Sequence, residues 1–439
     1  MKSLRPFLFS GVILISVVHG QPRREDIFTD VVLFNKRAQL EKDLRERVIA
    51  KTFSTPLDGN NEYKYETACD AIAQFQFLNS EIENGFSQIF RLYDSLEYDT
   101  RKSFLEAVYA VSPEKYESEM WAVLEKENSP ALFAISASYL YRFDPSISNS
   151  NRLKIALVEK FPGFDSLAVL EDLVNFLSYH RQQVHKATPE IIQLFRYQHF
   201  KQQKTIYSFQ RWNRDYPGLA IIQYADGHFA RDAGGRLLVF SQLARSGSDL
   251  PYFLHNGSTP QGIYSIQGTG ISHNNFIGPT PSIQLLLPFE EKWEKYFHTE
   301  ASFHQDSLRA YLEQLPATWR HYEPMMESWN AGQAGRSWII AHGTTIDPEY
   351  FKDKPFYPLT PTEGCLCAKE IWNNTTGHLL ISEQFNLVSA FQATPGNKGV
   401  LFVVNIDNQG RPVSREEVES LVRQFEKNKS QKPQNSTGH

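Results

Sequence analysis

The chain has 439 residues, 41% of them hydrophobic and 22% charged, with a formal net charge of -5. That length exceeds what one ordinary hydrophobic core accommodates, so two folded regions are expected, and the composition is globular rather than disordered. The acidic balance, with no stretch concentrating Lys and Arg among aromatics, argues against a nucleic-acid partner, and no internal run is long and apolar enough to span a bilayer.

At the start, Lys2 and Arg5 precede the apolar run Pro6 to Val18, and a polar segment follows Gly20. These are the features of a secretory signal, so residues 1–20 are predicted to be a signal peptide and the mature protein to be exported. From Asp26 to Gln203 the apolar residues recur with helical spacing: Phe104, Val108 and Val111; Leu132, Ile135 and Tyr139; Leu167, Leu170, Val174 and Leu177. Offsets of three, four and seven set them on one face of each helix. Pro113, Pro130, Pro145, Pro162 and Pro189 fall near the ends of these segments, where a missing amide donor is tolerated. Residues 21–205 are therefore predicted to be all-α, short antiparallel helices with solenoid-like stacking, positioning the rest of the chain or binding a protein partner. The aromatics Phe75, Phe77, Phe86, Phe90, Tyr93, Trp121 and Tyr139 are expected in its core rather than along a groove.

Beyond Thr205 the texture changes to short apolar runs separated by turn residues: Leu219 to Tyr224, the turn Ala225-Asp226-Gly227, Leu237 to Ala244, Gly262 to Gln267, Ser282 to Leu287, Trp338 to Ala341 and Val400 to Ile406. Residues 206–426 are predicted to be mostly β, with a helical insertion at about residues 300–330 that reads as a lid or wall over a substrate cleft. Trp319, Tyr322 and Trp329 in that insertion are candidates for stacking on substrate or for its core. Ser414 and Glu417 have the spacing of a capping box opening a helix to about Glu426, and residues 427–439 read as a disordered tail.

The three cysteines, Cys69, Cys365 and Cys367, are too few for a disulfide scaffold, and a link from Cys69 to either of the others stays open. Two segments carry chemistry: Trp338-Ile339-Ile340-Ala341-His342-Gly343-Thr344 and Thr360-Pro361-Thr362-Glu363-Gly364-Cys365-Leu366-Cys367. Acyl transfer needs a thiolate, an imidazole to take its proton and backbone amides for the oxyanion, and Gly343 and Gly364 let the main chain approach a substrate. No cofactor is required, and one residue between two thiols argues against a zinc site. His298, His304, His321 and His378 are competing bases. Asn256-Gly257-Ser258 and Asn374-Thr375-Thr376 fit the glycosylation triplet, a weak signal.

These two segments resemble the catalytic domain of the L,D-transpeptidase (YkuD-type) family. Thr259-Pro260-Gln261-Gly262-Ile263-Tyr264 matches that family's Thr-Pro-x-Gly-x-Phe/Tyr strand entry, and Ala244-Arg245-Ser246-Gly247 stands in the place of its Ser-x-Gly turn. The resemblance implies an exported, periplasmic enzyme acting on peptidoglycan stem peptides, with Cys365 as nucleophile, His342 as base, and the backbone around Gly343 and Gly364 supporting the oxyanion. Thr344, Thr362, Glu363 and Cys367 would lie along the substrate, Thr362 shaping the turn. The sequence departs from the family pattern at Glu363, where many members carry histidine, at Cys367, where Arg or Asn is usual, and in a longer His342-to-Cys365 gap. Two other functions fit the same residues: a carboxypeptidase in which water resolves the thioester, and a non-catalytic wall-binding scaffold.

Overall fold

The computed structural model describes residues 23–179, 187–300 and 302–430, so the signal peptide expected at 1–20 lies outside the described residues. The first helices are α1 (Phe34–Lys42), continuing through a π-helical stretch (Asp43–Ala50) into α2 (Lys51–Phe53), then α3 (Glu62–Phe75), α4 (Ser80–Leu92) and α5 (Tyr98–Val111). They are followed by α6 (Glu117–Lys126), α7 (Pro130–Phe143), α8 (Ile147–Lys160), α9 (Ala168–Tyr179) and α10 (Ile191–Phe200). The chain thus opens as a helical region, as its periodicity predicts. Ser129 and Ser146 cap α7 and α8 by accepting the amides of Leu132 and Asn149, which fixes where those helices begin. The alternate helices α3, α5, α7 and α9 pack on one another in order. Phe75, Phe77, Phe86, Tyr93 and Tyr139 are buried in their core, and Phe90 and Trp121 pack against it.

A mostly strand region follows. The strands are β1 (Thr205–Arg211), β2 (Gly218–Gln223), β3 (Phe240–Leu243), β4 (Gly262–Gly270), β5 (Ser282–Leu286), β6 (Ala341–His342), β7 (Leu366–Ala368), β8 (Glu370–Trp372), β9 (Leu379–Ser382) and β10 (Gly399–Asp407). Eight close into a barrel in the order β1-β10-β4-β5-β6-β7-β3-β2, while β8 and β9 form a separate ribbon. Two barrel pairings are parallel, β1 with β10 and β6 with β7. The expected strand at Trp338 to Ala341 is shifted: only Ala341–His342 pairs, because Trp338 takes a left-handed φ of 64° that no strand accommodates.

Side chains alternate between two cores, as the pleat requires. Ile206, Ile222, Tyr264, Ile283, Ala341, Leu366 and Leu401 share one cluster with α14 (Glu383–Gln392). Tyr207, Phe209, Ile221, Ile263, Phe402 and Val404 share the other with α10, the insertion and α15 (Arg415–Ser430). The capping box opening α15 is formed: Glu417 N donates to Ser414 Oγ (3.2 Å) and Ser414 N to the Glu417 carboxylate (2.7 Å). This helix reaches Ser430, past the end expected at about Glu426, and residues 431–439 of the expected tail lie outside the described residues.

The insertion comprises α11 (Trp293–Tyr296), α12 (Ser307–Leu312) and α13 (Glu327–Gln333) with short 3-10 turns. It is not a lid. Tyr311, Trp319, Tyr322 and Trp329 are buried in the second cluster, and the Tyr311 hydroxyl and Ser328 Oγ both take the Ile263 amide at the start of β4. An apolar stripe of this kind is core, not a stacking platform.

The boundary expected at residue 205 does not separate two cores. Helix α10 belongs to the strand region's core, whereas Leu250, Phe253, Leu254, Ile346, Phe351, Phe356 and Leu359 belong to the helical one. Polar contacts cross the same seam: Arg37 pairs with Asp347 (2.9 Å), Asn256 Nδ2 donates to Glu106 (2.9 Å), and Asn330 Nδ2 donates to Asp172 (3.0 Å). Asn256 is thereby committed to the seam rather than open as a glycosylation acceptor.

Asp172 gives the seam a pH dependence. Its Oδ1 also accepts from Tyr252, its Oδ2 has no partner among the described residues, and burial, outweighing those two hydrogen bonds, raises its carboxyl from the ordinary aspartate range to about 7. With the folded value raised, stability is complete below the unfolded value and is lost as pH rises through about 4 to 7. Asp172→Asn removes this titration, so its stability relative to the parent should rise by ~1–3 kcal/mol between about pH 5 and pH 8 in urea titrations. A difference independent of pH would show that Asp172 ionises freely in the fold.

Candidate active site

Strands β6 and β7 bring the two chemistry-bearing segments together. In their parallel register Ala341 faces Leu366 and His342 faces Cys367, and Leu366 N donates to Ile340 O (3.0 Å). Ala341 and Leu366 point into the α14 cluster, so the alternation turns His342 and Cys367 to the opposite side. Cys367 is there paired with Leu243, a member of the helical region's core. The site therefore lies where the barrel wall meets the helices.

Cys365 is half-buried at the entrance to β7. Its Sγ accepts the Ile340 amide (3.4 Å) and donates to Trp338 O (3.5 Å). Burial pushes its thiol up to about 12, with Glu363 and Glu290 adding and the Ile340 amide and Arg336 opposing. His342 is buried, its Nδ1 lies against Gly343 O, and burial lowers its value to about 4. Nothing among the described residues takes its Nε2, which is not sealed from water. Among the described residues no hydrogen bond joins the imidazole to the thiol, and burial leaves both uncharged near neutral pH.

The other predicted residues divide into those that shape the turn and those already occupied. Thr362 Oγ1 accepts the Gly364 amide (3.1 Å) and donates to Cys365 O (3.0 Å), and its own carbonyl takes the Gly247 amide (2.7 Å). This is the turn-shaping expected of it, with the Ala244–Gly247 segment alongside. Glu363 is exposed at the surface, yet its carboxyl is raised by the protein packed around it and by Asp70, with Lys102 opposing. It looks across at α3 and α5. Thr344 and Cys367 are not free to meet a substrate: the Thr344 amide is held by Glu370 and its hydroxyl by Phe276 O, and Cys367 is fully buried with Sγ at Thr360 Oγ1 (3.6 Å).

The two glycines make room for protein rather than for ligand. A Cβ on Gly343 would fall inside the Glu370 carboxylate, and one on Gly364, whose φ is 112°, would meet the Arg336 guanidinium. The Gly364 amide is spent on Thr362, so it is not an oxyanion donor in this conformation.

Arg336 and Glu370 are thus the residues that sequence reasoning missed. Glu370 is buried, accepting the Thr344 amide (2.9 Å) and the Ser382 hydroxyl (2.6 Å), and burial raises it to about 7. A lone acid opening the apolar run Glu370-Ile371-Trp372 is the only signal it leaves in the sequence. Trp338 is also notable, because its indole is 53% exposed while its backbone is left-handed. Its amide donates to Glu290 (2.9 Å), which fixes the carbonyl that receives the Cys365 thiol. Strain in a bulky exposed residue touching the thiol marks a site better than a packing element.

The competing histidines lie elsewhere. His298 Nε2 sits between Ser265 Oγ and Gly399 O, His304 and His321 are exposed, and His378 packs edge-on to Phe28. All three cysteines are free, so the Cys69 disulfide is not formed. Cavities of 570 and 440 Å³ open beside Lys204 and His298, and neither is lined by Cys365 or His342. Among the described residues no group of metal-ligating side chains is assembled, and no helix is long and apolar enough to cross a membrane. No family model matches this chain, and neither a curated protein nor a solved structure matches it.

Proposed function

We propose that the protein is an exported, L,D-transpeptidase-like acyltransferase that uses Cys365 on peptidoglycan stem peptides. The observation that carries the reading is the parallel register of β6 and β7, which sets His342 and the Cys365 segment on one side of the barrel wall. Supporting it is the imidazole's orientation: Nδ1–H donated to Gly343 O leaves Nε2 as the base.

In the reaction the Cys365 thiol proton passes to Nε2 as Sγ bonds to the carbonyl carbon of the stem peptide's diamino acid. The imidazolium returns that proton to the departing D-alanine amine as the C–N bond breaks. An amine of a second stem then attacks the thioester, Sγ leaves, and the proton released on nitrogen goes back through Nε2 to the thiol. No cofactor enters these steps.

The resting pair is neutral, which predicts the pH profile. With His342 at about 4 and Cys365 at about 12, proton transfer within the pair is available across the whole interval between them. The rate at which a carbapenem acylates the protein should therefore be flat from about pH 5.5 to 8, whereas attack by free thiolate would climb about tenfold per pH unit.

One observation favours a second reading, a non-catalytic wall-binding protein: the thiol is held neutral by burial and hydrogen-bonded only to backbone. Intact-protein mass spectrometry after incubation with a carbapenem separates the two. A single adduct on the parent, absent from Cys365→Ala, supports the enzyme. The lack of an adduct at any pH on protein with Cys365 reduced overturns it in favour of the scaffold.

A further inference from the structure

Arg336 has a buried guanidinium, 4% exposed, directly behind the turn that carries the thiol. Its Nη1 donates to Tyr252 O and to Ser258 O (3.0 Å), and its Nη2 to Gly257 O (2.8 Å). The guanidinium rests on the Cα of Gly364, so closely that this residue has to be glycine, and Cys365 is the next residue along. Among the described residues no carboxylate lies within ion-pair distance of it. Of the other buried arginines, Arg211 pairs with Asp407 and Glu417 and Arg245 with Asp215, while Arg214, bound like Arg336 to uncharged oxygens, has the buried Glu327 carboxylate acting on it electrostatically.

A buried cation without a counter-charge is costly, because carbonyl dipoles replace only part of the lost hydration. Lys204 shows what the structural version of such a residue is like: its ammonium binds the Phe391, Thr394 and Gly396 carbonyls, closing the C-terminal end of α14, where a cation is favoured by the helix dipole. The carbonyls that Arg336 binds lie in the non-helical loop from Tyr252 to Ser258 and offer no such dipole. Two groups act on it that could carry negative charge: Tyr264, whose buried hydroxyl is held by Pro260 O and kept protonated by burial, and the sulfur of Cys365, once its proton has left.

We infer that Arg336 is a positioning residue for Cys365, placing a fixed positive charge beside the sulfur that offsets the thiolate as it forms. The inference rests on the reading of Cys365 as a nucleophile. It also accounts for a buried thiol being usable: burial suppresses the resting thiolate, and the cation lowers the cost of producing it in the presence of an acceptor.

The test is the rate at which iodoacetamide alkylates Cys365, followed by intact mass at several pH values between about 7 and 9, with fully buried Cys69 and Cys367 as silent thiols. In this reaction Sγ displaces iodide and its proton goes to water. Parent, Arg336→Gln, Arg336→Met and Arg336→Lys are compared, with the thermal transition confirming the fold. Raising the thiol by about one pH unit cuts thiolate tenfold while making each thiolate about threefold more nucleophilic, so the neutral variants should react about threefold to fourfold more slowly. Lysine, which restores the charge but not the three-carbonyl geometry, should return the parent rate.

Equal rates in the parent and a folded neutral variant would overturn the inference, as would a lysine variant as slow as the neutral ones, since Arg336 would then only fasten the loop. Should neither neutral variant fold, the lysine variant decides alone: the parent rate supports the charge and a severalfold slower rate overturns it. Alkylation needs no wall substrate, so this inference and the transpeptidase reading fail independently.

Discussion

Cys365→Ala is expected to abolish acyl transfer, lowering turnover of a stem tetrapeptide by about 10,000-fold or to the detection limit, and to leave the fold intact. The size follows from the role: a nucleophile that forms the covalent intermediate has no substitute, and Cys367, the nearest thiol in sequence, is fully buried on the far side of one strand residue. The fold should tolerate the change because Sγ makes only two long contacts, to Ile340 N and Trp338 O, and the side chain is half-buried. The stability loss in urea should be about 1 kcal/mol or less. Binding to purified cell wall should persist, since the sulfur takes no part in the polar contacts of the seam. Turnover by the alanine variant within tenfold of the parent would end the case for Cys365 as nucleophile, and loss of wall binding together with activity would point to damage at the turn rather than to lost chemistry.

The sequence carried much of the local structure but little of what joins its parts. Helices α5, α7 and α9 were legible because Phe104/Val108, Leu132/Ile135/Tyr139 and Leu170/Val174/Leu177 repeat at helical spacing, although α7 is buried on every side from Leu132 to Tyr141. Strand β1 was not, since it is buried throughout and its Ser208 and Gln210 break the apolar pattern, Gln210 Nε2 donating to Ser208 Oγ and Ser208 Oγ to Gln242 Oε1 inside the barrel. The insertion misled in its placement: read as a lid or wall over a cleft, it joins the strand region's core, where Trp319, Tyr322 and Trp329 are buried as the core reading of them expects. At the site, His342, Cys365 and Thr362 were found by motif. Arg336 and Glu370 were invisible, because a single charge has no periodicity and its meaning depends on a non-local parallel pairing between strands of two and three residues.

Glu370→Ala is expected to give the largest stability loss of any single change near the site, about 3 kcal/mol, together with loss of acylation at Cys365. One carboxylate holds three elements: Oε2 takes the Thr344 amide after β6, Oε1 takes the Ser382 hydroxyl, and Ser382 Oγ in turn caps α14 at Phe385 N (2.8 Å). Removing it leaves a buried amide and hydroxyl unpaired and opens space against Gly343, the residue whose carbonyl holds His342 Nδ1. The imidazole would then be free to turn, and with it the base. Glu370→Gln keeps the volume and one acceptor oxygen, so it should cost about 1 kcal/mol and retain most acylation. Gly343→Ala presses on the same contact from the other side and should resemble Glu370→Ala, because its Cβ has nowhere to go but into the carboxylate. Equilibrium unfolding and carbapenem adduct formation on the three variants check this together. If Glu370→Ala is as stable as Glu370→Gln and still acylates at the parent rate, the carboxylate does not hold the histidine turn, and the orientation of His342 must come from the β6–β7 pairing alone.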